Sequence, residues 1–91
     1  MGTLASIWAL REIRKEIAEM SEEAKERAAI VEIVWNDDQI LGMLFKMNVL
    51  GTISVKTYSE IYDQTDTEGK FINPDDRLAA AKLLRRFGKK K

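Results

Sequence analysis

The sequence predicts an all-α fold, a small helical bundle, on the strength of three observations. Apolar residues recur at spacings of three and four over long stretches, which places them on one helix face. Residue types that start and stop helices sit at the edges of those stretches: Asn36, Ser54 and Asn73 at starts, Gly51 and Gly88 at ends. Charged residues make up 33% of the 91 residues, more than an average domain carries, which suits long solvated helix faces. A chain of this length makes one domain. The expected layout is an amphipathic helix or helix pair over 3–35, a compact three-helix unit over 37–88 and a basic tail at 89–91.

The first element follows from Leu4, Ile7, Leu10, Ile13, Ile17 and Met20, which share a face, while Glu12, Glu16 and Glu19 alternate with Arg11, Arg14 and Lys15 elsewhere. Thr3 can cap its start. Ser21 permits two readings. It can cap a second helix, with Glu22 and Glu23 in the favourable first turn. Alternatively the helix runs on to Val34, because Leu10, Ile13, Ile17, Met20, Ala24, Val31 and Val34 all fall on heptad a and d positions, although Arg27 interrupts the seam. The long helix, bent at Ser21 if at all, is the preferred expectation.

Asn36 and Gln39 form a capping box before an apolar run, with Trp35 and Ile40 placed to close a hydrophobic staple. The helix that follows carries Ile40, Leu41, Met43, Leu44, Phe45, Met47 and Leu50 around most of its circumference, and is expected at the centre of the core. Gly51 stands where a helix-ending glycine should. Ser54 can cap the next helix, with Tyr58, Ile61 and Tyr62 on one face. The competing reading is a strand over 52–58, since Ile53, Val55 and Thr57 alternate. Asp63 to Gly69 is polar and loop-like. The last helix opens with Asn73, Pro74, Asp75 and Asp76 and carries Leu78, Ala79, Leu83, Leu84 and Phe87 as its apolar stripe.

Composition excludes much chemistry. The chain has no cysteine and no histidine, so the usual general base, the commonest zinc ligand and the Ser-His and Cys-His pairs are missing. The pairs Asp37-Asp38 and Asp75-Asp76 stand at helix N-termini, where the dipole accounts for them. No glycine-rich phosphate loop is present. The expectation is therefore a protein that is not an enzyme and has no cofactor, no metal and no small-molecule substrate.

Fifteen basic residues balance fifteen acidic ones, but unevenly: Lys82, Arg85, Arg86, Lys89, Lys90 and Lys91 crowd the last ten positions without an acid. No apolar run approaches the roughly 20 residues of a membrane span. No secretory signal is visible, since the uncharged stretch from Gly2 to Leu10 is short and lacks preceding basic residues. A cytoplasmic location, or one within an assembled particle, is expected. Met1-Gly2-Thr3-Leu4-Ala5-Ser6 matches the pattern for acylation of Gly2.

Two short stretches resemble known motifs. Phe45 to Ile61 resembles an EF-hand loop with its exit helix, with Asn48, Gly51 and Ile53 at matching places. Lys46 and Thr57 stand where calcium ligands are required, so the resemblance implies a degenerate EF-hand-like regulatory module that binds no calcium. Gln64 to Asp75 also places Asp66, Glu68, Gly69 and Asp75 at EF-hand positions. The glycine corner followed by Ile-Ser and Tyr-x-x-Ile is similar to hairpins in bacteriophage virion proteins such as portal and neck components, which implies an assembly role.

The function expected from the residues is protein–protein interaction or self-assembly. The seam Leu10, Ile13, Ile17 and Met20 would be the contact, because only about fifty later residues remain to cover it. The partner would be another protein or a second copy. The alternative is a helix-turn-helix nucleic-acid-binding protein, supported on residues 38–49 and reading the groove with 54–64. Lys56, Thr57 and Ser59 would face the groove, with Lys82, Arg85, Arg86, Lys89, Lys90 and Lys91 supplying phosphate contacts.

Overall fold

Ser21 divides the N-terminal segment into two helices, α1 (Gly2–Ala18) and α2 (Glu22–Glu32), in the computed structural model of the chain. The structure describes residues 2–32 and 34–88, and side chains within 8–31 and 34–87. Thr3 as a cap, Gly2 as an acylation site and the seam residues Leu4 and Ile7 lie outside the described side chains, and the basic tail Lys89 to Lys91 lies outside the described residues. The continuous helix over 3–35 does not form. Its last turn tightens where the Met20 amide donates to the Ile17 carbonyl at 3.0 Å, and Ser21 Oγ then accepts the Ala24 amide at 3.1 Å. Serine at such a junction does more as a cap than inside a helix, because its hydroxyl competes for backbone groups. The break lets α2 fold back against the C-terminal helix.

Three helices follow: α3 (Asp37–Val49), α4 (Val55–Tyr62) and α5 (Pro74–Gly88). Among the described residues the fold is all-helical, and the β-prone stretch after Gly51 is helical from Val55 onward. The capping box forms in full: Asn36 Oδ1 accepts the Gln39 amide at 2.8 Å and Gln39 Oε1 accepts the Asn36 amide at 3.0 Å. Asn73 Oδ1 accepts the Asp75 amide at 2.9 Å at the head of α5.

The α3–α4 corner is a helix stop joined to a helix start. Gly51 takes φ +84°, a conformation that costs an L-residue roughly 1 kcal/mol. The Thr52 amide reaches back to the Met47 carbonyl at 2.8 Å and the Gly51 amide to that of Asn48 at 3.0 Å, the paired bonds of a Schellman ending. Ser54 then caps α4 by accepting the Thr57 amide at 3.0 Å. Asn48, the matching residue of the EF-hand resemblance, turns its amide to the Ile53 carbonyl at 3.1 Å.

The core is organised around α5, not α3. Leu78, Ala79, Ala80, Ala81, Leu83 and Leu84 are all buried, and α5 packs against α1, α2 and α3. Its alanines let the neighbouring helices approach closely. This placement corrects the expectation for the N-terminal seam. Leu10, Ile13 and Ile17 are at most 2% exposed within the chain's own core, and Met20 packs against its edge. The later residues do suffice to cover the stripe. α3 lies to one side: Ile40, Leu41, Leu44 and Met47 face inward, while Phe45, Val49 and the capping Leu50 face out.

The loop from Asp63 to Asn73 is closed by a single antiparallel bridge between Thr65 and Phe71. Asp66 organises it, its Oδ1 accepting the amides of Glu68 at 2.8 Å and Lys70 at 3.0 Å. The hydrogen bond from Lys70, then that from Glu68, holds its carboxyl below the ordinary value of 3.8. A depressed folded value means that Asp66 stabilises the chain above the unfolded value, and that this support is lost as pH falls through the folded one. NMR titration is expected to place the Asp66 midpoint below 3.8. A midpoint at or above 3.8 would mean that the loop does not hold the carboxylate as described.

Candidate functional site

The outward side of α3 and α4 carries a row of aromatic side chains in mutual contact, flanked by exposed apolar residues. Phe45 and Tyr58 meet edge-to-face with ring centroids 5.8 Å apart, and Tyr58 stacks on Tyr62 at 6.0 Å. Val49 lies one helical turn beyond Phe45, and Val55 one turn before Tyr58. Phe45 and Tyr62 are each 53% exposed, Val49 66% and Val55 68%. The local cause is helical register. On α4, Val55, Tyr58, Ser59 and Tyr62 share one side, while Thr57 and Ile61 on the opposite side are 1% exposed. The Schellman ending of α3 and the Ser54 cap of α4 fix the angle at which the two faces meet.

Such a surface can bind, and rigid aromatic side chains suit it to binding proteins. Phe and Tyr bring large apolar area with few rotatable bonds, the profile of interface anchors. Tyr58 is half-buried, and burial pushes its phenol above the ordinary value, with Tyr62 adding to the shift. Leu50, next to Val49, is also exposed, and further exposed apolar residues lie elsewhere in the chain, Ile72 among them. Ile30, Val31 and Val34 mark the end of α2, and Trp8 stands on α1.

The residues first assigned to function are dispersed by the fold. Leu10, Ile13 and Ile17 are core, as above. Thr57, expected to face a DNA groove, points inward and shares a hydrogen bond with Ser54 at 2.8 Å. Of the reading helix, Lys56 and Ser59 remain at the surface beside Asp63, while Glu60 pairs with Arg14 of α1 at 3.7 Å. Arg85 sits over the Trp35 ring at 5.2 Å and donates to the Val31 carbonyl at 3.3 Å, so it joins α2 to α5. Lys82 is half-buried and Arg86 exposed.

The paired carboxylates are likewise engaged in structure. Asp37 binds Arg77 Nε at 2.7 Å and accepts the Phe71 amide at 3.0 Å. Asp75 accepts Lys25 Nζ at 3.0 Å, and that hydrogen bond raises the lysine above its ordinary value. Burial pushes the Asp76 carboxyl up, opposed by Arg14 and assisted by Asp75. Asp66, Glu68 and Asp75 do not converge: no group of three acidic residues that could hold a metal ion occurs among the described residues. Open clefts mark the surface of the described residues. One of about 440 Å³ lies against Asp37, Lys70, Phe71 and Arg77, and one of about 480 Å³ against Trp8, Glu12, Arg86 and Phe87. In the first, the charged pair Asp37 and Arg77 is turned on itself. No described helix is long and apolar enough to cross a membrane.

A signal for the aromatic face was present in the sequence. A helix apolar on most of its circumference, in a domain this small, must turn some of that surface outward. The chain matches no protein-family model, no curated protein and no solved structure.

Proposed function

We propose that this protein is a non-enzymatic interaction module that self-associates through the outward face of α3 and α4. The observation that carries this reading is the ladder of rings Phe45, Tyr58 and Tyr62 at the surface, continued by Val49 and Val55. Together these side chains expose on the order of 500 Å², comparable to the largest apolar patch of a typical monomer, a patch that is often functional. Pairing two such faces would bury roughly 1,000 Å², which belongs with weak and transient complexes rather than obligate dimers. Micromolar association is the corresponding strength, and an assembled complex with high local concentration is the setting that suits it.

The test is the mass in solution by light scattering at micromolar concentration and above. The wild-type chain is expected to exceed the monomer mass, and Phe45→Asp to return it to the monomer while leaving helicity unchanged, because position 45 is at the surface. Ile30→Asp, on the separate α2 surface, is expected to behave as wild type. A strictly monomeric wild-type chain would refute the proposal.

A further inference from the structure

We infer that the second copy docks antiparallel along α4, about a two-fold axis beside Ser59, with Lys56 of each copy against Asp63 of the other. This rests on the self-association reading above and specifies its geometry. α4 is eight residues long, about 12 Å, and is helical through its capping residue Asp63. Val55 and Tyr62 lie seven residues apart on the outward line of the helix. Lys56 and Asp63 are also seven apart, so they stand on one common side of that line at opposite ends. Both are exposed, and neither has an ion-pair partner among the described residues. Phe45 and Tyr58 occupy the other side.

A two-fold axis perpendicular to a helix keeps each side and reverses the ends. The charged side of one copy therefore meets the charged side of the other with Lys56 facing Asp63 twice over. Val55 faces Tyr62 twice, the aromatic sides meet each other, and Ser59 comes up against its own counterpart. A parallel two-fold would instead exchange the sides and set Lys56 and Asp63 of one copy against the aromatic side of the other. The interface is thus self-complementary in charge as well as apolar, the requirement for a closed, isologous dimer. Ser59 is small, which permits the close end of the roughly 8–10 Å spacing of packed helices.

The chain has no cysteine, so a single introduced thiol can form only an intermolecular disulfide. Ser59→Cys is expected to form disulfide-linked dimers about tenfold faster than Thr67→Cys, an exposed control on the 63–73 loop, because the axis raises the effective concentration of the thiol against its own copy. Lys56→Asp and Asp63→Lys should each weaken association roughly fivefold to tenfold by setting like charges opposite. The double variant should restore it. Both substitutions suit the helix dipole, so all three chains are expected to fold. Equal cross-linking of the two thiols, or a double variant no tighter than either single one, overturns this geometry. If Phe45→Asp still abolishes association in that case, the self-association reading stands. A wild-type chain with no concentration dependence removes both.

Discussion

Replacing Ile13 by aspartate is expected to unfold the chain, not merely to separate copies of it. Ile13 is 1% exposed and lies with Leu10 and Ile17 in the cluster that α5 completes through Leu78, Leu83 and Leu84. Losing the isoleucine forfeits about 3 kcal/mol of burial and packing. The carboxylate that replaces it must either stay ionised without a partner or take up a proton, at a further cost of several kcal/mol. A domain of this length has roughly 5–14 kcal/mol to lose. Far-ultraviolet circular dichroism should show most of the helical signal gone at room temperature. A variant that keeps wild-type helicity and cooperative unfolding would show that the N-terminal seam is not core.

The second large effect is expected at Asp37. Its carboxylate ties three elements together: the first turn of α3, Arg77 of α5 and the Phe71 amide of the closing loop. Arg77 in turn donates to the Trp35 carbonyl at 3.0 Å, which fixes the entry to α3. The 2.7 Å contact between Arg77 Nε and the carboxylate is an ion pair lying off the hydrogen-bond line, and Nε has no other acceptor. Asp37→Ala therefore leaves a buried donor uncompensated. The Arg77 side chain as a whole is about one-third exposed, so solvent softens the loss, and about 2 kcal/mol is expected in urea unfolding. The Phe71 amide should exchange faster as the loop loosens. A change below about 0.5 kcal/mol would mean that Asp37 is only a helix-dipole residue.

Local signals in the sequence carried most of the fold. Capping at Asn36, Ser54 and Asn73 and the glycine stop at Gly51 depend on residues a few positions apart, and each appears with the hydrogen bonds its residue types allow. Ser21 was ambiguous because a cap and a heptad seam made opposite demands on the same residues. Tertiary packing decides such a contest, and α5 offered α2 a surface that a straight helix could not reach. Periodicity marks a face as apolar without saying what covers it, which is why Leu10, Ile13 and Ile17 read as an interface. The same limit hid the aromatic face. Phe45, Val49 and the inward-facing Leu44 are equally apolar in sequence, and only the position of α5 separates them.

The identity of the interacting surface can be read most directly from amide chemical shifts recorded while the protein is concentrated from the monomeric range. Concentration-dependent shifts are expected at Phe45, Val49, Val55, Tyr58, Ser59 and Tyr62, with α1 and the Ile30–Val31 end of α2 unmoved. Shifts centred on α2 or around Trp8, or spectra that do not change with concentration, would contradict the assignment of the α3–α4 face as the site of self-association.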